Sequence, residues 1–233
     1  MRFGVVVFPG TWSDRDCGWV IEEVLGEQVV YLWHRDQALP QVDCVLLPGG
    51  FSYGDHLRPG AIARLSPLME EVIEFSQRGG LVWGICNGFQ VLCECGLLPG
   101  ALIQNSSLEF RCQWTHLVCE HGDLPFTDEL RDGQVIRAPI SHGEWSFQAE
   151  PAALSFLEQR GQVVFRYCDA EGKTTASANP NGSAHNIAGI TNKSGNVLGM
   201  MPHPERCTEA ALGGTDGRLL FSSVVRSVRR LVA

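Results

Sequence analysis

The sequence predicts an α/β fold: a flavodoxin-like open, mostly parallel sheet with helices on both faces, plus an appended β region. Three observations carry this. Short, continuously apolar runs alternate with amphipathic stretches early in the chain, and the first and third runs stop at a Pro-Gly turn. The second half changes to β segments with hairpin-like turns. A strand that is apolar throughout needs cover on both faces, which a parallel sheet receives from its crossover helices.

Phe3-Gly4-Val5-Val6-Val7-Phe8 reads as the first strand, ending at Pro9-Gly10. Ser13 or Asp14 caps a helix whose apolar positions Trp19, Val20 and Val24 fit a 3.6-residue period, with Gly26 as its stop. Val29 to Trp33 is the second strand, and Asp43 to Leu47 the third, closed by Pro48-Gly49-Gly50. The stretch from Ala61 to Gln77 predicts a helix ended by Gly79-Gly80, and Leu81 to Ile85 the fourth strand. Glu109 to Glu120, Val135 to Ser141, Val163 to Tyr167 and Ile187 to Met201 read as β segments, with Asn192 to Asn196 the clearest hairpin turn. A final amphipathic helix, Leu219 to Val232, is basic toward its end, as the helix dipole prefers. No internal repeat or separating linker is visible, so residues 1–233 read as a single domain.

Composition narrows the function. Of 233 residues 44% are apolar and 19% charged, an ordinary globular balance. Acidic residues outnumber basic ones 26 to 18, for a net charge of −8, which disfavours nucleic acid as a partner. No apolar run approaches the ~20 residues of a membrane helix, and the apolar N-terminus lacks a signal-peptide cleavage site. A cytoplasmic protein without a membrane partner is the expectation. The 9 cysteines are odd in number and irregular in spacing, with no C-x-x-C pair, so most read as small buried hydrophobes in a reducing compartment.

One cysteine stands apart. Leu81 to Ile85 runs straight into Gly84-Ile85-Cys86-Asn87-Gly88, and a helical pattern begins at once with Phe89, Val91 and Leu92. This is the layout of a nucleophile elbow, with Cys86 in the reactive position. The flanking glycines remove Cβ atoms that would clash on so tight a turn. The helix start places free N–H groups beside the sulfur, which favours thiolate. Cys93 and Cys95, further along the same helix, receive no role.

A thiolate nucleophile needs a base, and the base an orienting acid. His203 lies between Pro202 and Pro204, which restrict the backbone around it. In an extended segment residues i and i+2 share a side, so Glu205 is expected beside His203. The loop Pro48-Gly49-Gly50-Phe51-Ser52-Tyr53-Gly54-Asp55 belongs at the same sheet edge, where its glycines allow backbone N–H groups to face a developing oxyanion. Those glycines also permit two backbone settings at little steric cost, so a peptide there is able to turn its N–H toward or away from the oxyanion position; a tight, fixed turn is their alternative use. The spacing fits neither phosphate-binding glycine motif, and no lysine is near. Cys112, His116, Cys119 and His121 do not make a metal site, because on one strand they face opposite ways.

Together these residues resemble the triad-type glutamine amidotransferases, and among them the glutaminase subunits of phosphoribosylformylglycinamidine synthase. The matching stretches are Val6 to Gly10, Pro48 to Asp55, Gly84 to Gln90, Pro139 to Glu144 and Gly195 to Arg206, which span nearly the whole chain. The resemblance implies Cys86, His203 and Glu205 as catalytic triad, acting through a γ-glutamyl thioester. It implies Gly49, Gly50, Phe51, Gln90, Asn105, Ser106 and Phe110 around the oxyanion and the glutamine. His142 and Glu144 would lie near the active site or a partner interface; a hydrogen-bonded histidine at a strand end is the alternative for His142. No cofactor or metal is expected in this chain. ATP and Mg would belong to a partner synthetase subunit, which would receive the ammonia for de novo purine synthesis, with a small accessory subunit beside it. One departure is visible: the family often has Ser-Asn after Phe-Pro-Gly, where this chain has Thr11-Trp12. Two rivals remain, a cysteine hydrolase acting on another amide or peptide bond, and a catalytically silent scaffold. Gln90 and the Gly-Gly-Phe-Ser-Tyr-Gly-Asp loop count against the first, the intact Cys86, His203 and Glu205 against the second.

Overall fold

The computed structural model describes residues 1–55, 58–103, 110–142 and 146–232. β1 (Arg2–Val7) leads to α1 (Asp14–Trp19), which runs on into a π-helical turn over Val20–Val24. β2 (Gln28–Trp33), β3 (Cys44–Leu47), α2 (Pro67–Gln77), β4 (Leu81–Ile85) and α3 (Asn87–Glu94) follow. Next come β5 (Ala101–Ile103), β6 (Arg111–Cys119), β7 (Val135–His142) and β8 (Ser146–Gln148). The chain continues through α4 (Pro151–Gln159), β9 (Val163–Cys168), β10 (Ile187–Thr191), β11 (Val197–Met200) and α5 (Asp216–Val232).

Among the described residues nine strands form one sheet in the order β2-β1-β3-β4-β11-β10-β9-β6-β7, while β5 pairs with β8 apart from it. The strands from β2 to β11 run parallel, with Phe3 opposite both Val29 and Cys44, Cys44 opposite Leu81, and Val82 opposite Val197. This is the strand order of a flavodoxin-like sheet. From β11 onward neighbours are antiparallel. The β region thus continues the parallel sheet edge to edge, and the β10–β11 hairpin joins the two halves. Its turn is closed by Asn192, whose side-chain oxygen accepts the backbone N–H groups of Asn196 and Val197, each at 3.1 Å.

β3, β4 and β11 are buried at every residue, as their unbroken apolar runs require. Trp83 of β4 packs on Phe221 of α5 with ring centroids 4.7 Å apart, which seats the C-terminal helix on the sheet. The basic end of that helix is neutralised by carboxylates: Arg226 and Arg230 pair with Asp128, and Arg229 with Glu27.

Several expectations are corrected. The helix expected from Ala61 begins at Pro67, and residues 63–65 form only a 3-10 turn. Proline excludes the helical conformation from the residue before it, and Ser66 is accordingly extended (φ −68°, ψ 137°). Trp19 does not face the core but is exposed, its indole N–H donating to Glu209 at 2.8 Å. The buried face runs through Cys17, Val20 and Ile21 at i, i+3, i+4 spacing, with Gly18 beside it, and Trp19 falls outside it. The last helix begins at Asp216, whose carboxylate accepts the Arg137 N–H at 2.7 Å. α4 goes beyond the expected elements; it shows the N-terminal proline of a helix start but buries only Leu154 and Leu157.

Candidate active site

β1, β3, β4 and β11 are consecutive in the sheet and parallel, so the loops after them emerge side by side at one edge. That edge is where open α/β sheets place their ligands.

Cys86 sits between β4 and α3 with φ 58° and ψ −110°, a conformation strained for a residue with a Cβ. Its N–H donates to Met200 of β11 at 2.7 Å, and its carbonyl accepts from Phe89 at 3.0 Å. The flanking glycines act as expected. A Cβ on Gly88 would lie 1.9 Å from the Leu47 carbonyl oxygen, and one on Gly84 would meet the Gly88 backbone at 2.7 Å. No larger residue lets α3 approach β3 and β4 so closely.

His203 follows β11, fixed by its N–H donating to the Pro139 carbonyl of β7 at 2.8 Å. Its Nδ1 lies 2.6 Å from Glu205 Oε1, with both side chains fully buried. The pairing is the expected one, but the local backbone is not. Pro204 to Arg206 form a 3-10 turn rather than an extended segment, because proline favours the first position of a helical turn. His203 Nε2 is buried without a hydrogen-bond partner. Burial alone would lower the His203 pKa, yet the Cys86 thiolate and the Glu205 carboxylate overcome it and raise it to about 10. Burial likewise opposes ionisation of Glu205, but the imidazolium and Arg206 hold its carboxyl below the usual range.

Gly49 joins the two groups. A Cβ there would lie 2.7 Å from His203 Cε1 and 3.3 Å from Cys86 Sγ, so thiol and imidazole border the same point. The Gly49 carbonyl accepts the N–H groups of Trp12 and Ser13, each at 3.2 Å. A Cβ on Gly50 would lie 2.7 Å from the Gly10 carbonyl oxygen. The Phe51 N–H donates to that same Gly10 oxygen at 2.9 Å, so in this setting it does not point at the thiol. The Phe51 ring is partly exposed and lies against Trp12. Beyond it Tyr53 has a left-handed backbone (φ 57°), and its hydroxyl is 2.8 Å from His34 Nδ1.

Gln90 is buried on α3, its side-chain oxygen accepting from Asn87 Nδ2 at 2.7 Å. Asn87 also receives the Ser52 N–H (3.1 Å) and the Ser52 hydroxyl, clipping the glycine loop to the elbow helix. Sequence reasoning gives Asn87 no role, although an Asn inside Gly-x-Cys-Asn-Gly beside a Ser-bearing loop is a readable signal. Phe110 is exposed just ahead of β6. His142 ends β7 opposite Arg111. Asn105, Ser106 and Glu144 lie outside the described residues.

Such an arrangement suits attack of a thiolate on an acyl carbon, with an imidazole at hand to carry the proton. Desolvation pushes the thiols of Cys95 and Cys207 up to about 12 and that of Cys168 up to about 11, which disfavours their thiolates. Among the described residues no three His, Cys, Asp or Glu side chains converge on a metal position. On β6, Cys112 is exposed while Cys119 is buried. No described helix is long and apolar enough to cross a membrane.

Residues 1–213 match the family model of the CobB/CobQ-like glutamine amidotransferase domain. The chain is 58% identical over 225 residues to the phosphoribosylformylglycinamidine synthase subunit PurQ of Moorella thermoacetica, covering 97% of this chain and 95% of that one. It is 53% identical to the subunit of the same name from Salinibacter ruber, over 100% of this chain and 99% of the other. Among solved structures it is similar to a chain of the PurLQS structure from Thermotoga maritima, with a TM-score of 0.87 and 42% identity over 97% of this chain and 98% of that one. A glutamine amidotransferase from Thermotoga maritima shares the fold, with a TM-score of 0.58 at 18% identity over 99% of this chain and 93% of that one.

Proposed function

The chain belongs to the CobB/CobQ-like glutamine amidotransferase family, and within it to the PurQ subunits of phosphoribosylformylglycinamidine synthase; from that premise we propose how its residues perform the reaction. Cys86 Sγ, having given its proton to His203, attacks the side-chain amide carbon of glutamine. The tetrahedral intermediate collapses as His203 returns the proton to the leaving nitrogen, which departs as ammonia and leaves a γ-glutamyl thioester on Cys86. Water then attacks the thioester with His203 taking its proton, and glutamate leaves as the thiol is restored. Glu205 orients the imidazole and balances its charge when it is protonated. The observation that carries this reading is Gly49, whose Cα hydrogen position faces both the Cys86 sulfur and the His203 ring while Glu205 holds the ring from behind.

The ammonia passes to the synthetase subunit, which uses ATP to replace the amide oxygen of formylglycinamide ribonucleotide, and a small accessory subunit completes the assembly. Gln90, Asn105, Ser106 and Phe110 would surround the glutamine. The glycine loop supplies oxyanion donors, and docking sets how many. With the Phe51 N–H engaged by Gly10, one donor is withheld from the site in the free chain. A single such donor is worth about 10²- to 10³-fold in rate.

The test is glutamate release by this chain alone and in the assembled, nucleotide-loaded complex, with ¹⁵N supplied in the glutamine amide. Slow release alone, release faster by about 10²-fold in the complex, and ¹⁵N in the amidine product are expected. Equal rates in the two states would remove the docking switch, and no release in either would remove the glutaminase reading.

A further inference from the structure

Trp12 lies in the loop after β1, and the structure gives it two attachments. Its backbone N–H holds the Gly49 carbonyl, and its ring edge lies where a Cβ on Gly50 would come within 3.0 Å of Cδ1. Its ring face meets the Arg206 guanidinium, with Cζ 4.2 Å from the ring centroid, a cation–π distance. Arg206 directly follows Glu205. Its Nη2 is 3.2 Å from Asp16 Oδ2 and 3.4 Å from Ser13 Oγ, while its Nε is 3.8 Å from Glu205 Oε1. That Nε is buried without a hydrogen-bond partner, and so is Glu205 Oε2. The guanidinium therefore acts on the carboxylate through charge, leaving His203 as the group that bonds Glu205 Oε1 at short range.

The groups around Glu205 come from three elements. The imidazole of His203 belongs to its own segment, and Arg206, Cys207 and Glu209 follow on the same stretch. Cys17 and Asp16 face it from α1, and Cys86 lies across the imidazole on the elbow. Asp16 and Glu209 are both acidic, so the positive charge beside Glu205, other than the imidazolium, comes from Arg206. The guanidinium is held on its edge by Asp16, whose side chain is 43% exposed, and on its face by the Trp12 ring, so without the ring it is free to follow the exposed carboxylate outward.

We propose that Trp12 is a positioning residue for the Glu205–His203 pair: its indole face holds Arg206 against the buried carboxylate while its backbone anchors the glycine loop. One exposed side chain thereby ties the oxyanion side of the site to the acid side. Removing the ring leaves Arg206 to Asp16 and Ser13 alone and lets it move away from Glu205, which then protonates more readily, and the imidazolium loses its partner. The acid limb of glutamine turnover must then move to higher pH.

The inference rests on the glutaminase reading, and its test uses the assembled complex. The kcat/KM for glutamine is measured against pH for Trp12→Ala, Trp12→Phe, Arg206→Gln and the double variant Trp12→Ala/Arg206→Gln, with ammonia-dependent synthesis reporting that assembly is intact. Trp12→Ala and Arg206→Gln should each move the acid limb up by about one pH unit, the usual influence of a cation at this range. Trp12→Phe, which keeps a ring face, should retain most of the wild-type profile, and the double variant should shift no further than either single one. An acid limb that stays in place in Trp12→Ala, or a Trp12→Ala shift that persists in the Arg206→Gln background, overturns the proposal. A wild-type complex inert toward glutamine would instead overturn the glutaminase reading, and this proposal with it.

Discussion

The parallel half of the sheet, β2-β1-β3-β4-β11, and the antiparallel half, β10-β9-β6-β7, share one core but stand differently toward the site. Parallel neighbours all end at the same edge, so β1, β3, β4 and β11 deliver Trp12, Gly49, Cys86 and His203 to one place. Antiparallel neighbours end at alternate edges and cannot gather consecutive loops in this way. The antiparallel half instead gives a main-chain contact, the Pro139 carbonyl that accepts the His203 N–H at 2.8 Å. Chemistry is thus collected by strand direction, and the antiparallel strands brace it.

If that division holds, substitutions in the two halves should fail in different ways. The largest effects belong to the parallel edge. His203→Ala should lower the glutamine-dependent rate by about 10⁴-fold or more, and Glu205→Gln less severely, because the orienting member of a triad is worth less than its base. Steady-state glutamate release in the complex measures both, and a Glu205→Gln loss as deep as that of His203→Ala would show that the carboxylate does more than orient.

A smaller effect on the reaction is expected from the braces. Leu117 on β6 is fully buried opposite Tyr167 of β9. Leu117→Ala should cost about 2–5 kcal/mol of stability by opening a cavity, read from the midpoint of urea unfolding. The rate per folded molecule should stay near wild type. A tenfold fall in that rate at full folding would mean that the antiparallel half shapes the site directly.

The same division explains what can be read from the sequence. The strands of the parallel half are short, mainly apolar runs, β1 and β3 leading to Pro-Gly turns, and β1, β3 and β4 appear within a residue or two of their expected places. The His203–Glu205 pair and the Cys86 turn are equally legible, because Cys86 and His203 each lie close behind such a run. Less legible are features set by tertiary contact. The buried face of α1 is set by Cys17, Val20 and Ile21 against the sheet, so the large apolar Trp19 points outward to Glu209. α2 starts late because Pro67 dictates the conformation of Ser66, a local rule that outweighs the apolar pattern before it. Neither the placement of β11 beside β4 nor the stack of Arg206 on Trp12 has a local signature, since each joins residues more than a hundred positions apart.

The proposed mechanism centres on the sulfur of Cys86, at the end of β4: it assigns the glutamine chemistry to that atom and makes the synthetase reaction depend only on the ammonia that results. This is tested most directly by the complex bearing Cys86→Ala, assayed for synthesis with glutamine and separately with added ammonia. The glutamine-dependent reaction should be abolished, and the ammonia-dependent reaction should persist at a rate close to that of the wild-type complex. A variant that still hydrolyses glutamine would take Cys86 out of the mechanism and contradict the claim.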